Sequence, residues 1–427
     1  MPLPTTGFLL LAAAAGQASE GTVPPLWDGS LAQAEVQALD GHPELRAARA
    51  AARSAEAGVV QAGGLPEPTV GVGVFLRPVE TRTGPQQARV SIQQPLPWPS
   101  AVRAERDAAA ARLDSVLATV QDRERVLRAR VQATYWDLWE VRARVHVLSG
   151  HLAMLEGLVT SVRGRLSAGE LPLSALQQVE LERAQLADRI ATLQAREETV
   201  EVRLATLVGV PLGSRLPTHD EPPPPQSPTL DLPALSTLLT TAHPIQAAVS
   251  NEAAAAAEVK GAQVARRPRV SLRADWILVG PSELADPMES GQDALVLGTG
   301  LTLPTSWRAR TARVDDMRAR ADRSRAQTDA VMRQLQSQLA DHLTAVEDSA
   351  RSLLLTRDVL VPEALAALTS TQGEFVAGRT PLSDVLFAQR TLFDLQLALV
   401  RHQAAHARAW SALDALLATA PTRREAS

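Results

Sequence analysis

Two long segments of the chain carry the hydrophobic spacing of an amphipathic helix. Between Ala101 and Arg163, apolar residues recur at intervals of three and four, and no proline interrupts them. The same spacing recurs between Ala309 and Phe375, where Pro362 predicts a kink. A helix of about 65 residues is about 100 Å long and needs other long helices to cover its apolar face. The pattern predicts helices over about 100–167, 173–208, 306–377 and 381–417.

Four shorter segments alternate apolar residues with polar residues or glycine, which predicts strands over about 68–77, 88–97, 268–279 and 294–304. An apolar side opposite a polar side over about 9 to 11 residues is typical of a transmembrane β-strand with lipid on one face and water on the other. An ordinary surface hairpin of a soluble protein would show the same alternation. The apolar positions are Val70, Val72, Val74, Leu76, Val90, Ile92, Val270, Leu272, Ala274, Trp276, Leu278, Leu295, Leu297, Leu301 and Leu303.

The same order of predicted elements occurs twice along the chain. The dipeptide His-Pro begins both copies, at positions 42 and 243, and Pro95 and Trp98 correspond to Pro304 and Trp307 at a constant offset of 209. We therefore predict a first structural repeat over 19–216 and a second over 234–417, with a disordered tail over 418–427. The stretch "PTHDEPPPPQSPTLDLP" over 217–233 is rich in proline and predicts an extended linker.

A short phrase also occurs twice, as "AGELPLS" over 168–174 and "AGRTPLS" over 377–383. Gly169 and Gly378 suit the left-handed residue that closes a helix. Pro172 and Pro381 suit the first position of the next helix. Each phrase therefore predicts the turn of a helical hairpin.

The N-terminus has the features of a secretory signal peptide over 1–18. An apolar run extends from Phe8 to Ala15, and the small residues Gly16 and Ala18 precede a cleavage site after position 18. No Lys or Arg precedes the run, so an apolar N-terminus without a targeting role is the alternative. Elsewhere we find no uninterrupted apolar run of the about 18 to 20 residues that a membrane helix needs.

Composition limits the chemistry that the chain can perform. The absence of cysteine excludes disulfides, thiolate zinc sites and cysteine nucleophiles. The formal net charge of −4 gives no reason to expect a nucleic-acid partner. Of the eight histidines, His402 and His406 share a helix face, but no acid completes a ligand set, so a solvated or packed pair is expected. No phosphate-binding loop is visible, and the sequence predicts neither an enzyme nor a cofactor.

Four strands cannot close a barrel, and an open sheet edge is not tolerated in lipid. The sequence therefore predicts a barrel shared between several copies of the chain. Three copies would supply twelve strands, but two or four would also close, so the strands alone leave the number open.

The residues together resemble the TolC-type outer-membrane efflux protein family, across nearly all of the chain after position 18. The resemblance implies an α+β membrane protein that forms a homotrimer, in which a shared twelve-stranded barrel in the outer membrane continues into an α-helical tunnel in the periplasm. It also implies two partners, a periplasmic adaptor protein and an inner-membrane pump of the resistance-nodulation-division or ABC type. The phrases that carry it are the duplicated His-Pro, "QQPLPWP" over 93–99, "LATLVGVPLG" over 204–213 and "FVAGRTPLSDVLFAQRTL" over 375–392.

The resemblance also assigns roles to individual residues. The hairpin tips would dock the adaptor through Gly169, Pro172, Leu173, Gly378, Pro381 and Leu382, although helix capping alone explains the glycines and prolines. Trp98 and Trp307, just beyond the strands, would lie at the membrane interface.

A constriction of the closed pore is expected at Asp384, where similar proteins place an acid; an acid in the first turn of a helix is also favoured by the helix dipole. Some relatives carry a second acid three residues later, where this chain has Phe387, and the first repeat has Ala175 in place of an acid. A doubled ring of carboxylates is therefore not expected here.

The function implied is an exit duct of a tripartite efflux system. The corner "PLPWP" over 95–99 resembles the heavy-metal cation efflux branch of the family, the CzcC/CusC-like proteins, and suggests metal cations as cargo. A conduit for type I protein secretion or drug efflux is an alternative. A soluble periplasmic helical scaffold or adaptor is an alternative of another class.

Overall fold

The computed structural model describes residues 28–226, 232–282 and 288–417, and the same order of elements occurs twice. The predicted signal peptide and C-terminal tail lie outside the described residues, as do positions 227–231 of the predicted linker. The first repeat contains α1 (Leu31–Gly41), α2 (Pro43–Ala62), β1 (Thr69–Val74), β2 (Glu80–Thr81), β3 (Gly84–Leu96), α3 (Pro99–Ser167) and α4 (Leu173–Val208). The second contains α5 (Leu232–Leu238), α6 (His243–Val264), β4 (Arg269–Val279), β5 (Ala294–Thr302), α7 (Trp307–Leu355), α8 (Val361–Val376) and α9 (Leu382–Leu417).

The buried side chains of the helices form three clusters along the bundle. One joins α3 and α4 to α8 and α9 beside the hairpin turns. A second joins α1 and α2 to α3 and α4, and the third joins α5 and α6 to α7 and α9. The helix α9 contributes a residue to each cluster, Leu392, Ala407 and Leu413 respectively. The apolar face of each long helix is therefore covered by other helices of the bundle, as helices of this length require.

The long helix of the second repeat contains an irregular turn. Where the sequence predicts one kinked helix over about 306–377, the structure has α7, a π-helical turn over Thr356–Leu360, and then α8. Pro362 is the second residue of α8, so the wider turn directly precedes it. Proline has no N–H to donate and its ring clashes with the carbonyl four residues earlier, here that of Asp358. A π turn at that carbonyl lets the chain continue as a rod past the proline.

By its length and composition, α3 is able to cross a membrane, with a mean hydropathy of 1.3 over 18 residues. Polar residues interrupt the apolar run of this segment, so a search for uninterrupted apolar runs does not predict it. The helix places Leu148 and Leu155 in one buried cluster and Leu127 and Leu138 in another. Its apolar content thus matches its position between several other helices.

The strands form one antiparallel sheet in the order β1-β3-β4-β5, with the short β2 beside β3. The central pair β3 and β4 comes from different repeats and runs in register from Leu96↔Val270 to Gln86↔Val279, with a shift between Gln86 and Ala88. The two predicted hairpins are therefore fused side by side. The outer edges of β1 and β5 have no strand partner among the described residues.

The start of the linker is fixed to the middle of the bundle by the single tyrosine of the chain. The fully buried Tyr135 donates its hydroxyl hydrogen to the carbonyl of Gly29 at 2.8 Å, and its oxygen accepts from the Asp220 N–H at 3.1 Å. Next to it, Arg142 on α3 donates to the Leu216 carbonyl and to Glu201 on α4. The linker is thus held on the bundle where it leaves α4.

A second anchor of the linker is the fully buried His406 on α9. Its Nε2 accepts a hydrogen bond from the Gln226 N–H at 3.3 Å, and its Nδ1 lies 3.1 Å from Ser349 Oγ on α7. An imidazole that accepts at Nε2 is neutral. Burial lowers the pKa of His406, which favours the same state. The sequence predicts a solvated or packed pair, and the structure buries His406 while His402 stays partly exposed.

The His406 anchor makes stability depend on pH. Because its pKa in the folded chain lies below the usual 6.5, the unfolded chain binds more protons as pH falls through that value, and the free energy of unfolding falls with it. We expect His406→Gln, in the detergent-solubilised chain, to give a shallower fall of the thermal midpoint between about pH 8 and about pH 5 than wild type. The exposed His146→Gln is the control and should keep the wild-type slope. If the thermal midpoints of wild type and His406→Gln fall equally with pH, His406 is not the source of the pH dependence.

Candidate functional site: an amphipathic sheet and two hairpin tips

One face of the four-stranded sheet is apolar and open. Strand register places Val72 opposite Val90, Val90 opposite Trp276, and Trp276 opposite Leu295. These positions continue the predicted alternation, so the apolar residues of all four strands share one face. Most of their side chains are unusually exposed for their type, 73% for Val72 and 78% for Leu297. An apolar surface of this extent on a soluble monomer would be rare.

The opposite face is polar and rich in glycine. Its central charge is Asp275, which is 5% exposed and accepts hydrogen bonds from Arg89 Nε at 2.9 Å and Arg273 Nε at 3.0 Å. Gly300 leaves room for the hydroxyl of Ser271, because a Cβ at this position would lie 2.5 Å from Ser271 Oγ. The alternation along β4 puts Arg273 and Asp275 on this face, but it does not predict the pairing with Arg89. The register of β3 against β4, which no local pattern gives, creates that pair.

The tryptophans predicted beyond the strands lie at the corners between sheet and helices. Trp98 caps the start of α3 and donates its Nε1–H to the Pro268 carbonyl at 2.7 Å, which ties the corner of the first repeat to the start of β4. Trp307 is the first residue of α7 and is 57% exposed. Both rings are partly solvated, at the same end of the sheet.

Both hairpin turns have one backbone geometry. Gly169 and Gly378 adopt φ values of +76° and +70°, in the left-handed region predicted for them. In the first turn, the N–H groups of Gly169 and Glu170 donate to the carbonyls of Leu166 and Arg165. The second turn repeats this pair of hydrogen bonds, which is the Schellman motif. Space around both glycines is open, since a Cβ would meet nothing within 4 Å.

The prolines of the turns precede the helices, whereas the sequence predicts them as the first helical residues. Pro172 occupies the N-cap of α4, with φ −76° and ψ 157°. Its carbonyl accepts from the Ala175 N–H at 3.0 Å, and that of Pro381 accepts from the Asp384 N–H at 3.2 Å. Compared with the predicted bounds, α4 begins at the expected residue 173 and α9 begins one residue late, at Leu382, and the turn itself is unchanged.

The two tips differ in what they expose. Leu173 is 58% exposed, whereas its counterpart Leu382 is 5% exposed and belongs to the cluster beside the turns. The tips also touch each other, since the guanidinium of Arg165 lies 4.8 Å above the ring of Phe375. The structure therefore brings both tips together at one end of the bundle, with Leu173 on the surface and Leu382 inside.

The first two turns of α9 present an acid and an aromatic ring on the exposed face of the helix. Asp384 is exposed, and Phe387, three residues later, is 73% exposed. Ser383 Oγ lies 3.2 Å from Asp384 Oδ1. An aromatic ring exposed to this degree is normally covered by a partner or lines a passage. Among the described residues, no group of three or more His, Cys, Asp or Glu side chains could hold a metal ion.

Comparison with known proteins identifies the family. The family model described as outer membrane efflux protein matches residues 35–210 and 234–419, one match for each repeat. The outer membrane efflux protein BepC of Brucella suis is 26% identical over 270 residues, which are 63% of this chain and 58% of BepC. The match therefore spans less than two thirds of that relative.

Solved structures share the fold. The outer membrane protein VceC of Vibrio cholerae superposes with a TM-score of 0.76 at 22% identity, covering 91% of this chain and 95% of VceC. CusC, which forms a transmembrane channel, superposes with a TM-score of 0.76 at 17% identity, covering 91% of each chain. These matches confirm the resemblance found in the sequence: the chain belongs to the outer membrane efflux protein family.

Proposed function

We propose that the chain forms the outer-membrane exit duct of a tripartite efflux system, which takes cargo from an inner-membrane pump through a periplasmic adaptor. The observation that carries this proposal is the sheet, whose exposed apolar face, polar opposite face and open edges continue into helical hairpins. An apolar face suits lipid, and a polar face suits a water-filled passage. The family of the chain supports the same location, the outer membrane.

Closure of the sheet by copies of the chain supports a homotrimer. Each chain contributes four long strands, and lipid offers no hydrogen bonds to the free edges of β1 and β5. Two copies would give eight strands, and side chains fill the interior of a barrel of that size. Three copies give twelve strands and a wider interior. A homotrimer is thus the smallest closed assembly that leaves room for cargo.

In this assembly the polar face lines the passage and the tryptophans mark the border of the membrane. The ion cluster of Arg89, Arg273 and Asp275 then faces water, which is where charged side chains of transmembrane barrels are tolerated. Trp98 and Trp307 lie where strands become helices, at the height of the inner lipid headgroups. The helices below this level form the periplasmic tunnel.

Asp384 and Phe387 constrict the closed passage in our proposal. Both side chains are exposed on one face of α9 near the tips, so three copies would bring three carboxylates and three rings toward one axis. A ring of carboxylates favours cations over anions. Phe387 adds an apolar constriction in place of a second acid.

The tips dock the adaptor. Gly169, Pro172, Gly378 and Pro381 are exposed, and the open space around both glycines permits a close backbone approach. Of the two leucines, exposed Leu173 is a contact residue and buried Leu382 supports the turn from inside. The tips therefore offer a partner exposed apolar side chains, Leu173 at the first tip and Val376 at the second, beside bare backbone.

The duct performs no chemistry itself and needs no cofactor in this proposal. Energy comes from the pump, of the resistance-nodulation-division or ABC type, and no contact with nucleic acid is involved. Metal cations as cargo remain a prediction from the corner over 95–99, where Trp98 bonds to the Pro268 carbonyl.

Ion conductance tests the duct directly. We expect the purified full chain to give discrete current steps in a planar bilayer, because the passage is water-filled. Asp384→Asn should lower the cation-to-anion permeability ratio by about two-fold or more, since it removes the carboxylate ring. Asp348→Asn, an exposed acid paired to Arg351 on α7, is the control and should leave the ratio unchanged. Folded protein that carries no current would favour the soluble scaffold instead.

Docking at the tips is tested with a charge on the exposed leucine. Leu173→Glu should abolish chemical cross-linking to the co-expressed adaptor and leave thermal stability as in wild type, because the side chain is in solvent in the free chain. Val202→Glu is a matched control on the same helix, 46% exposed and far from the tip. If wild type and Leu173→Glu cross-link to the adaptor equally, the tip is not part of the docking surface.

A further inference from the structure

Four arginines line a cavity between α3, α4 and α9. The cavity has a volume of about 460 Å³. It lies about 25 to 35 Å from the first hairpin turn, at about 1.5 Å per helical residue. Its apolar floor is formed by Leu148, Leu193 and Leu397, which are nearly buried. The charged residues of its wall are Arg144, Arg189, Arg196, Arg401 and Asp394.

The deepest of these arginines, Arg144, is poorly neutralised. Its Nη1 lies 3.6 Å from Glu140 Oε1, beyond hydrogen-bond distance. Glu140 is closer to another arginine, Arg408, at 2.9 Å. The Arg144 Nε is buried and has no hydrogen-bond partner among the described residues. A buried donor without an acceptor is costly, and an anion in the cavity would remove that cost.

The guanidinium groups also repel one another. Burial lowers the pKa of Arg144, Glu140 opposes this effect, and the charges of Arg401 and Arg196 lower it further. A neighbouring cavity of about 260 Å³ shows the usual balance, because Arg189 and Arg390 face Glu182 and Asp394 there. Between α3, α4 and α9, four positive charges face one carboxylate. The excess of positive charge therefore distinguishes this cavity from its neighbour.

We propose that this cavity is a binding site for an oxyanion, a carboxylate or phosphate group, held by Arg144, Arg196 and Arg401. Guanidinium groups bind such anions through paired hydrogen bonds, and several of them around a partly apolar cavity favour a multivalent anion. The two sources of this chemistry are a free anion of the periplasm and the acidic side chains of another protein. Binding of such an anion does not require that the chain conduct ions.

The experiment titrates the detergent-solubilised full chain with inorganic phosphate, citrate and a hexaglutamate peptide, each at constant ionic strength set with sodium chloride. The test variant is the double substitution Arg196→Gln/Arg401→Gln, at two exposed positions of the cavity mouth. The control is Arg203→Gln, an exposed arginine on α4 that does not line the cavity. Calorimetry measures the affinity of each anion for the chain. The thermal midpoint of each variant without added anion shows whether repulsion between the arginines destabilises the fold.

We expect at least one anion to bind wild type and the control alike, and to bind the double variant about ten-fold more weakly, because two charge-assisted contacts are lost. Tighter binding of hexaglutamate than citrate would assign the site to a protein partner, and the reverse order to a free anion. The double variant should also have a thermal midpoint at low salt equal to or above that of wild type. Equal affinity of wild type and the double variant, or no binding of any probe, would overturn the proposal.

Discussion

The constraint that governs this structure is the need to pair the two open edges of its sheet. On their outer edges, β1 and β5 each leave a row of backbone N–H and C=O groups with no strand partner in the part of the chain that the structure describes, and the face between them is apolar and exposed. In water such an edge invites aggregation, and in lipid it is too costly to persist. Copies of the same chain offer matching edges, so closure satisfies the backbone and directs all apolar faces outward in one step.

The helical part extends the closed ring away from the membrane without adding free edges. The equal spacing of the two repeats ends both hairpins at one height, where Arg165 of one tip contacts Phe375 of the other. The linker crosses the bundle between two anchors, Tyr135 and His406, and thereby holds the repeats together. A π turn at Thr356–Leu360 joins α7 to α8 directly before Pro362, so the helix continues past the proline. These contacts join the two repeats of the bundle along its length.

Local patterns predict the long helices and the four long strands, but not the shorter helices α1, α2, α5 and α6, and long-range pairing decides how the elements assemble. The alternation of apolar and polar residues predicts the apolar face of the sheet, and the left-handed conformation that glycine adopts predicts both hairpin turns. Both signals lie within a few neighbouring residues of the chain. The β3–β4 pair, which creates the Arg89–Asp275 contact, joins residues 186 positions apart, and no local signal specifies it. The sequence does not predict that Leu382 is buried whereas Leu173 is exposed, because the two similar turn sequences pack against different parts of the bundle. The four-arginine cavity likewise exists only after three distant helices meet.

The central claim, closure of open edges by copies of the chain, is tested most directly by cross-linking the two edges. Because the chain has no cysteine, Val72→Cys on β1 and Leu297→Cys on β5 place the only two thiols on opposite edges of one face. Within one chain β1 and β5 are three strand-to-strand spacings apart, about 14 Å. This distance exceeds the span of a short bifunctional maleimide, about 8 Å. In outer membranes the double variant should give a covalent ladder that stops at three chains, and each single variant should stay monomeric. A double variant that remains monomeric, or a ladder that continues past three, would contradict the account.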